Sequence, residues 1–355
     1  RSLSFALPSF SRELLRWVMS AALALLAGRA PSWPSGGLFH PVSREGSLVL
    51  NNLLLCSVGA VVVTGTMYPP FMQLLAGRTI SVGKPFFDAA TIPLTIPLLL
   101  AMGVGTALPW KRAQLARTFS HLFVAAILAA IGLVLCFWKF SGALPIACGA
   151  LAIWVMAASV TDVLRRIGLG HSSRSEMLAR AKSLPRSSWG AALAHIGAGI
   201  TVLGLCGMSG AQHAIVEIHV GETRSLAGDD WTLVNVHDYA GPNYRAMQAD
   251  IAVRHNGKLV TMLHPEKRDF TTQNQTTTEV AIHTNFITDL YGVVGDRHGT
   301  GADATYVLRL HKNPLAPWMW LGGLVMAIGG AFSLSDRRLR VGAPKRSAAR
   351  TMAKA

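Results

Sequence analysis

A single histidine interrupts an apolar stretch at His195. The stretch covers residues 189–208 and contains no Lys, Arg, Asp or Glu, which is typical of a membrane-spanning helix. His195 lies about 9 Å of helical rise from the start of this stretch, and an ionisable side chain at that depth usually faces a protein interior, a water-filled cavity or a cofactor. The imidazole could bind a metal or haem iron, relay a proton, or only hydrogen-bond a neighbouring helix.

Small residues surround His195 in the sequence. They are Ala191, Ala192, Ala194, Gly197, Ala198 and Gly199. Small side chains let another helix, or a flat macrocycle, come close to a helix backbone. We therefore take His195 as the candidate cofactor-binding residue and as a candidate metal ligand.

The other candidate residues carry weaker signals. His121 falls within another predicted span but near its end, where a histidine costs little. Residues 209–314 contain further histidines without HxxxH or HExxH spacing, so we expect solvated surface histidines there: His213, His219, His237, His255, His264, His283 and His298, with His311 at the border of the last span.

Several chemistries lack their motifs. The sequence contains no GxxxxGK[ST], no GxGxxG after a strand and no GxSxG, so nothing indicates nucleotide binding or serine hydrolysis. The four cysteines, Cys56, Cys136, Cys148 and Cys206, lie in apolar segments and form no CxxC. We interpret them as structural thiols.

The elements that hold these residues are those of a polytopic α-helical membrane protein. The chain has 355 residues, of which 51% are hydrophobic and 14% charged, a balance unlike that of a soluble globular protein. We predict spans at 48–67, 89–109, 118–138, 142–164, 189–208 and 315–334, and a partial span at 14–27, which makes six to seven. The span at 89–109 contains Pro93 and Pro97 and is expected to kink.

Residues 209–314 are polar and contain no spanning segment. β-Branched and polar residues alternate in short runs separated by Gly, Asn and Asp, which predicts a mostly-β domain inserted before the last span. The remaining divisions are a partial span and link at 1–47, transmembrane helices at 48–208, the last helix at 315–334 and a basic tail at 335–355.

The basic residues predict the orientation. More than half of the Lys and Arg residues lie in the link at 28–47, the loops at 110–117 and 165–188, and the tail. The positive-inside rule makes these segments cytoplasmic, so the β domain would lie in the periplasm, or in the intermembrane space of a mitochondrion. Because the basic residues flank apolar segments, the net charge of +15 indicates topology and anionic lipid rather than nucleic acid.

Several motifs together resemble the C-terminal part of the cytochrome c maturation protein F family, CcmF. They are PVSREGSLVLNNLLL (41–55), GTMYPP (65–70), TISVGKPFFD (79–88), AHIGAGITVLG (194–204), DYAGPNYRA (238–246), HPEKR (264–268) and NPLAPWMWLGGLVMAIGGAFSLSDRR (313–338). The resemblance covers about residues 14–340, which corresponds to the second half of a complete family member.

The resemblance implies a haem-handling membrane protein. Family members bind a haem b between two transmembrane histidines, and the second of these matches His195. The first, together with two periplasmic histidines and a Trp-rich WWD segment, would lie upstream of Arg1; the nearest sequence here, Trp318-Met319-Trp320, belongs to the last span. We therefore expect either a fragment or one subunit of a split gene, which alone would be insufficient for catalysis.

The activity that the resemblance implies is that of a cytochrome c haem lyase. Such an enzyme joins the vinyl groups of reduced haem to the CxxCH thiols of apocytochrome c, in a bacterial inner membrane or, if organellar, a mitochondrial one. The implied partners are apocytochrome c, the haem chaperone, the apocytochrome-binding subunits, a WWD-bearing chain and membrane lipid. Catalytic residues stay unassigned. Phe86 and Phe87, in a predicted loop at 68–88, could pack against haem or apocytochrome, or anchor the chain at the interface.

Two other readings remain open at this point. Proline-bearing spans with one ionisable residue also occur in transporters, although the sequence has no inverted repeat. A non-catalytic assembly subunit of a split haem lyase, which holds a partner chain through its spans, is the other alternative.

Overall fold

The computed structural model describes residues 42–108, 115–270 and 275–336, together with the isolated positions 20, 24 and 28. The chain divides into two units, Arg1–His40 and Pro41–Ala355. In the first unit only the three isolated positions are described, and each is helical. The partial span predicted at 14–27 lies mostly outside the described residues, as do the predicted loop at 110–117 and the predicted tail at 335–355.

The described part of the second unit contains six long apolar helices. They are α1 (Arg44–Ala76), α2 (Lys84–Gly105), α3 (Leu115–Lys139), α4 (Ala143–Ile167), α6 (Arg186–Gly207) and α7 (Ala316–Leu334), with a short helix α5 (Arg174–Ser183) between α4 and α6. All six are long and apolar enough to cross a membrane. The predicted architecture, a polytopic membrane protein with a β domain before the last helix, is confirmed.

Helix α1 is longer than predicted. The sequence predicts a loop from residue 68, but the helix continues through Pro69 and Pro70 to Ala76. Each proline removes one backbone N–H, which membrane helices tolerate where neighbouring groups satisfy the freed carbonyl. The helix ends at Gly77, whose φ of 61° is left-handed and whose N–H donates to the Met72 carbonyl, a common helix end.

The predicted loop at 165–188 also contains a helix. Ser173 and Glu176 form a capping box at the start of α5, in which each side chain accepts from the backbone N–H of the other residue. On the α4 side of this segment, Arg165 and Arg166 both donate to Asp162. A Cβ on Gly168, directly after α4, would lie 2.7 Å from Arg180 Nη1 of α5, so the segment is folded against the end of α4.

Helices α6 and α7 pack antiparallel through glycine. A Cβ atom built on Gly190 would lie 2.5 Å from the Gly329 carbonyl oxygen, and one built on Gly197 would lie 2.7 Å from the Gly322 carbonyl oxygen. At such distances only glycine fits, because the backbones themselves are in contact. This face of the His195 helix, which was predicted to admit a helix or a macrocycle, is occupied by a helix.

The β domain is a sandwich of two antiparallel sheets. The strands are β1 (Gln212–His219), β2 (Thr223–Leu226), β3 (Asp229–Ala240), β4 (Tyr244–His255), β5 (Lys258–Leu263), β6 (Glu266–Phe270), β7 (Gln275–Glu279), β8 (Ala281–Thr284), β9 (Thr288–His298) and β10 (Thr305–Pro314). One sheet has the order β1-β10-β9-β8, and the other has the order β2-β3-β4-β6-β7, with β5 also paired to β4.

The core of the sandwich draws on both sheets. Ile218 and Leu308 of the first sheet pack with Trp231, Leu233 and Ile251 of the second. All five side chains are fully buried. Since β1 follows α6 after a short turn at Met208–Gly210 and β10 leads into α7, the sheet that contains these two strands continues the α6–α7 pair.

Candidate functional site

The site around His195 is a cavity of about 370 Å³, a volume within the range of small-molecule sites. Four membrane helices line it: α1, α2, α4 and α6. Its charged and hydroxyl-bearing rim consists of Arg44, Ser47, Thr106, Asp162, Arg166, Ser187 and Ser188, and the deeper wall contains Leu48, Asn51, Ala101, Met102, Ser159, Ala191, Ala192 and His195.

Helical spacing explains why His195 lies at the deep end. Ser188, Ala191, Ala192 and His195 recur every three or four residues and so share one face of α6. The seven steps from Ser188 to His195 correspond to about 10 Å along the helix. The alanines between them leave the space that larger side chains would fill.

The three faces of α6 therefore have different neighbours. Ala194 and Gly197 face α7, and Gly199 faces Ala152 and Met156 of α4. Ala191 and Ala192 line the cavity instead. The small residues around His195 thus allow close helix packing on two faces of α6 and leave space for the cavity on the third.

One ring nitrogen of His195 has no hydrogen-bond partner. The Nδ1 atom is enclosed, and within the described ranges no polar atom pairs with it. An unsatisfied buried polar atom costs about 1–3 kcal/mol, so it requires an explanation. The same side chain lines the cavity, so a group bound in the cavity would lie beside this imidazole.

The rim of the cavity combines two cations with one anion. Asp162 accepts from Arg165 Nη2 at 3.0 Å and from Arg166 Nε at 2.7 Å, and Arg44 enters the rim from α1. Guanidinium groups are well suited to bind carboxylates. The cavity therefore offers an imidazole at its deep end and guanidinium groups at its rim.

Asp336 holds the rim end of α6 in place. This residue follows α7 and is 6% exposed. Its Oδ2 accepts from the Ser187 backbone N–H at 3.1 Å and from the Ser187 hydroxyl at 3.0 Å. A carboxylate at a helix N-terminus satisfies free N–H groups and complements the helix dipole.

Sequence reasoning did not identify Asp162, Arg166, Arg44 or Asp336. Asp336 lies in the SLSDRR segment that the family resemblance includes, but its partner Ser187 is 149 residues away. The signal in the sequence that could have identified Asp336 was its position as an acidic residue directly after an apolar span.

The other candidate residues lie outside the cavity. His121 is exposed near the start of the α3 span. Phe86 and Phe87 pack over Gly65 of α1, where a Cβ would lie 2.7 Å from the Phe86 ring and 2.8 Å from the Phe87 ring. The four cysteines carry free thiols.

The histidines of the β domain lie on its surface, as predicted, with His283 and His311 partly buried. His255, His264 and His298 contact Asp229, Asp250 and Glu217, respectively. No group of three metal-ligating side chains occurs among the described residues. Burial and the charges of His213 and Arg309 lower the pKa of His311 below 6.5.

Comparisons with known proteins give consistent results. Residues 210–314 match the family model described as the CcmF C-terminal β-sandwich. The chain is 43% identical over 331 residues to the cytochrome c-type biogenesis protein CycK of Bradyrhizobium diazoefficiens, covering 92% of this chain and 50% of that protein. It is 36% identical over 338 residues to the cytochrome c-type biogenesis protein CcmF of Pseudomonas aeruginosa, covering 94% and 50%.

A solved structure has the same fold. The chain aligns with a structure named cytochrome c heme lyase CcmF with a TM-score of 0.66 and 23% sequence identity, over 83% of this chain and 46% of that one. At this identity the similarity concerns the fold alone. The chain spans about half the length of the relatives it matches.

Proposed function

Because the chain belongs to the CcmF family, we propose that it forms part of a cytochrome c haem lyase. In this reaction each cysteine thiol of the apocytochrome CxxCH motif adds across one vinyl group of the substrate haem. A carbon–sulfur bond forms, and the thiol proton passes to the other vinyl carbon. The addition itself transfers no electrons, and the iron of the substrate haem is in the reduced form when the thiols add.

The observation that carries this proposal is His195, which lines the cavity and whose enclosed Nδ1 has no hydrogen-bond partner among the described residues. A neutral imidazole is a common axial ligand of haem iron. His195 would hold the haem iron through a ring nitrogen, and that bond would fix the tautomer of the imidazole. A haem b held here would supply one-electron transfer for the reduction.

The remaining residues of the cavity fit the same group. Leu48, Ala101 and Met102 provide apolar walls, and Ala191 and Ala192 leave room next to His195. Arg44 and Arg166 at the rim suit the two carboxylates of a haem. Asp162 holds Arg166 in position, and Asp336 holds the first turn of α6.

The proposed partners include the region that corresponds to the other half of each relative's length, which this chain does not match. We assign the second axial histidine and the WWD segment to that half, either on the same polypeptide or on a separate chain. Apocytochrome c, the haem chaperone and the apocytochrome-binding subunits complete the proposed set. The proposed location is the bacterial inner membrane, with the β domain in the periplasm and the basic segments in the cytoplasm.

A reduced-minus-oxidised visible spectrum tests the proposal. The sample is the detergent-purified complex that includes the upstream half, as wild type, His195→Ala and His121→Ala. We expect a b-type signal in the wild type that collapses in His195→Ala. The His121→Ala control should retain it, because His121 is exposed near the start of α3.

Two results would count against the proposal. A wild-type complex without haem would favour the transporter or the assembly subunit. A His195→Ala complex that keeps the full b-type signal would make His195 a packing residue.

A further inference from the structure

The hairpin between β8 and β9 has apolar residues at its tip. Phe286 is 66% exposed and Ile287 is 64% exposed, at a position where Gly, Asn, Asp or Ser usually occur. The Asn285 side chain accepts from the backbone N–H groups of Ile287 at 2.9 Å and Thr288 at 2.7 Å. The turn is therefore well defined, and its two apolar side chains are mostly exposed.

Hydrogen bonds attach this tip to the start of α7. The Leu315 N–H donates to the Ile287 carbonyl at 2.6 Å, and the Trp318 indole N–H donates to the Phe286 carbonyl at 2.9 Å. The rings of Phe286 and Trp318 have centroids 6.2 Å apart. The hairpin tip is thus at the level of the first turn of a helix that crosses the membrane.

The end of α6 lies at the same level. A Cβ on Gly207, the last residue of α6, would lie 2.5 Å from Leu315 Cβ. Both helices therefore meet the membrane boundary beside the tip. Tryptophan is enriched at that boundary, where its ring is in the apolar layer and its N–H finds a polar partner, as Trp318 does here.

We propose that Phe286 and Ile287 insert into the lipid surface and dock the β domain on the membrane. The residues from Asn285 to Thr288 carry no charge, so the tip has no group that the apolar layer would exclude. Exposed apolar side chains held at membrane depth by backbone hydrogen bonds match the chemistry of a bilayer interface. The alternative occupant of this position, a protein surface, is separated by the experiment below.

Site-specific fluorescence tests the docking. A bimane label is placed on Ile287→Cys, or separately on Phe286→Cys, in a chain whose four native cysteines are alanine. The protein is reconstituted in vesicles of phosphatidylcholine and phosphatidylglycerol that contain a lipid spin-labelled near the headgroup. Circular dichroism verifies that each variant is folded.

The matched control is Val220→Cys with the same label. Val220 is 48% exposed in a turn and lies eight residues after the start of β1, about 25 Å along the strand. We expect the spin-labelled lipid to quench the Ile287 label at least about twofold more than the Val220 label, and aqueous iodide to quench it about threefold less. The Phe286 label should behave like the Ile287 label.

Two outcomes would overturn the proposal. Equal quenching of the Ile287 label and the Val220 label by iodide would place the hairpin tip in water. A label at Ile287 that neither iodide nor spin-labelled lipid reaches would mean that protein covers the tip.

Discussion

The two glycine pairs of α7 allow a sharp test of its packing. In the pair Gly329–Gly330, a Cβ on Gly329 would lie 2.6 Å from the Ala194 backbone nitrogen and 2.7 Å from the Gly190 carbonyl oxygen. A Cβ on Gly330 would have nothing within 4 Å. The two residues are adjacent, so they share helix, membrane depth and helix propensity.

The expected effects of alanine have opposite signs. Non-bonded heavy atoms prefer separations of about 3.5 Å or more, so Gly329→Ala must push the two backbones apart by roughly 1 Å. No side chain can rotate away, because the atoms in contact belong to the backbone, and such overpacking costs about 1–3 kcal/mol. Gly330→Ala removes only backbone freedom and should gain up to about 1 kcal/mol.

Thermal unfolding in detergent, followed by circular dichroism, measures the difference between the two variants. Because both variants gain the same helix propensity, we expect their unfolding free energies to differ by the overpacking cost of about 1–3 kcal/mol, with a lower Tm for Gly329→Ala. The pair Gly322–Gly323 provides a repeat, since Gly322 faces α6 and Gly323 is open. Equal Tm values for Gly329→Ala and Gly330→Ala would refute the packing of these helices.

Two further predictions concern the β domain. Ile218→Ala should lower the free energy of unfolding by about 2–5 kcal/mol because Ile218 is fully buried. Ile215→Ala, on the exposed face of the same strand, should lower it by less than about 0.5 kcal/mol. Urea unfolding followed by tryptophan fluorescence measures both values, and similar losses would contradict the assignment of Ile218 to the core. The pKa of His311 is lower in the folded protein than its ordinary value of 6.5, so the unfolded chain protonates this imidazole at a higher pH than the folded chain does. The free energy of unfolding therefore keeps its full value above pH 6.5 and decreases as the pH falls through the folded pKa. NMR titration of labelled histidines should show this, and His213→Asn should raise the pKa of His311; a His311 pKa at or above 6.5 would be incompatible with its burial.

The membrane helices could be predicted because length and composition are local properties. Apolar runs of about twenty residues have few alternatives to spanning a bilayer. The end of α1 was predicted wrongly, since Pro69 and Pro70 resemble a loop signal and only the surrounding helices decide that the helix continues. Helix α5 was missed because it is short and polar, although its capping box was legible at Ser173 and Glu176.

The sandwich and the cavity depend on contacts between distant residues. The alternation of β-branched and polar residues predicted the strands. It did not predict which strands pair, because Gln212 and its partner Lys312 are far apart in the sequence and neither local sequence identifies the other. His195 was identifiable as an exception within an apolar run. Its neighbours Arg44 and Asp162 come from other helices, and only the assembled bundle brings them to the same cavity.

The antiparallel pair formed by α6 and α7 has a mechanical consequence. Its contacts run without interruption from Ser187 and Asp336, through the glycines and Leu315, to the pairing of β1 with β10, which ends at His219 and Thr305. The helix pair and the strand pair thus follow one another from the rim of the cavity to the far end of the sandwich, joined by Met208–Gly210 on one side and by Leu315 on the other. We expect a displacement of the sandwich to be transmitted to the His195 helix, because only the short turn Met208–Gly210 separates that helix from β1.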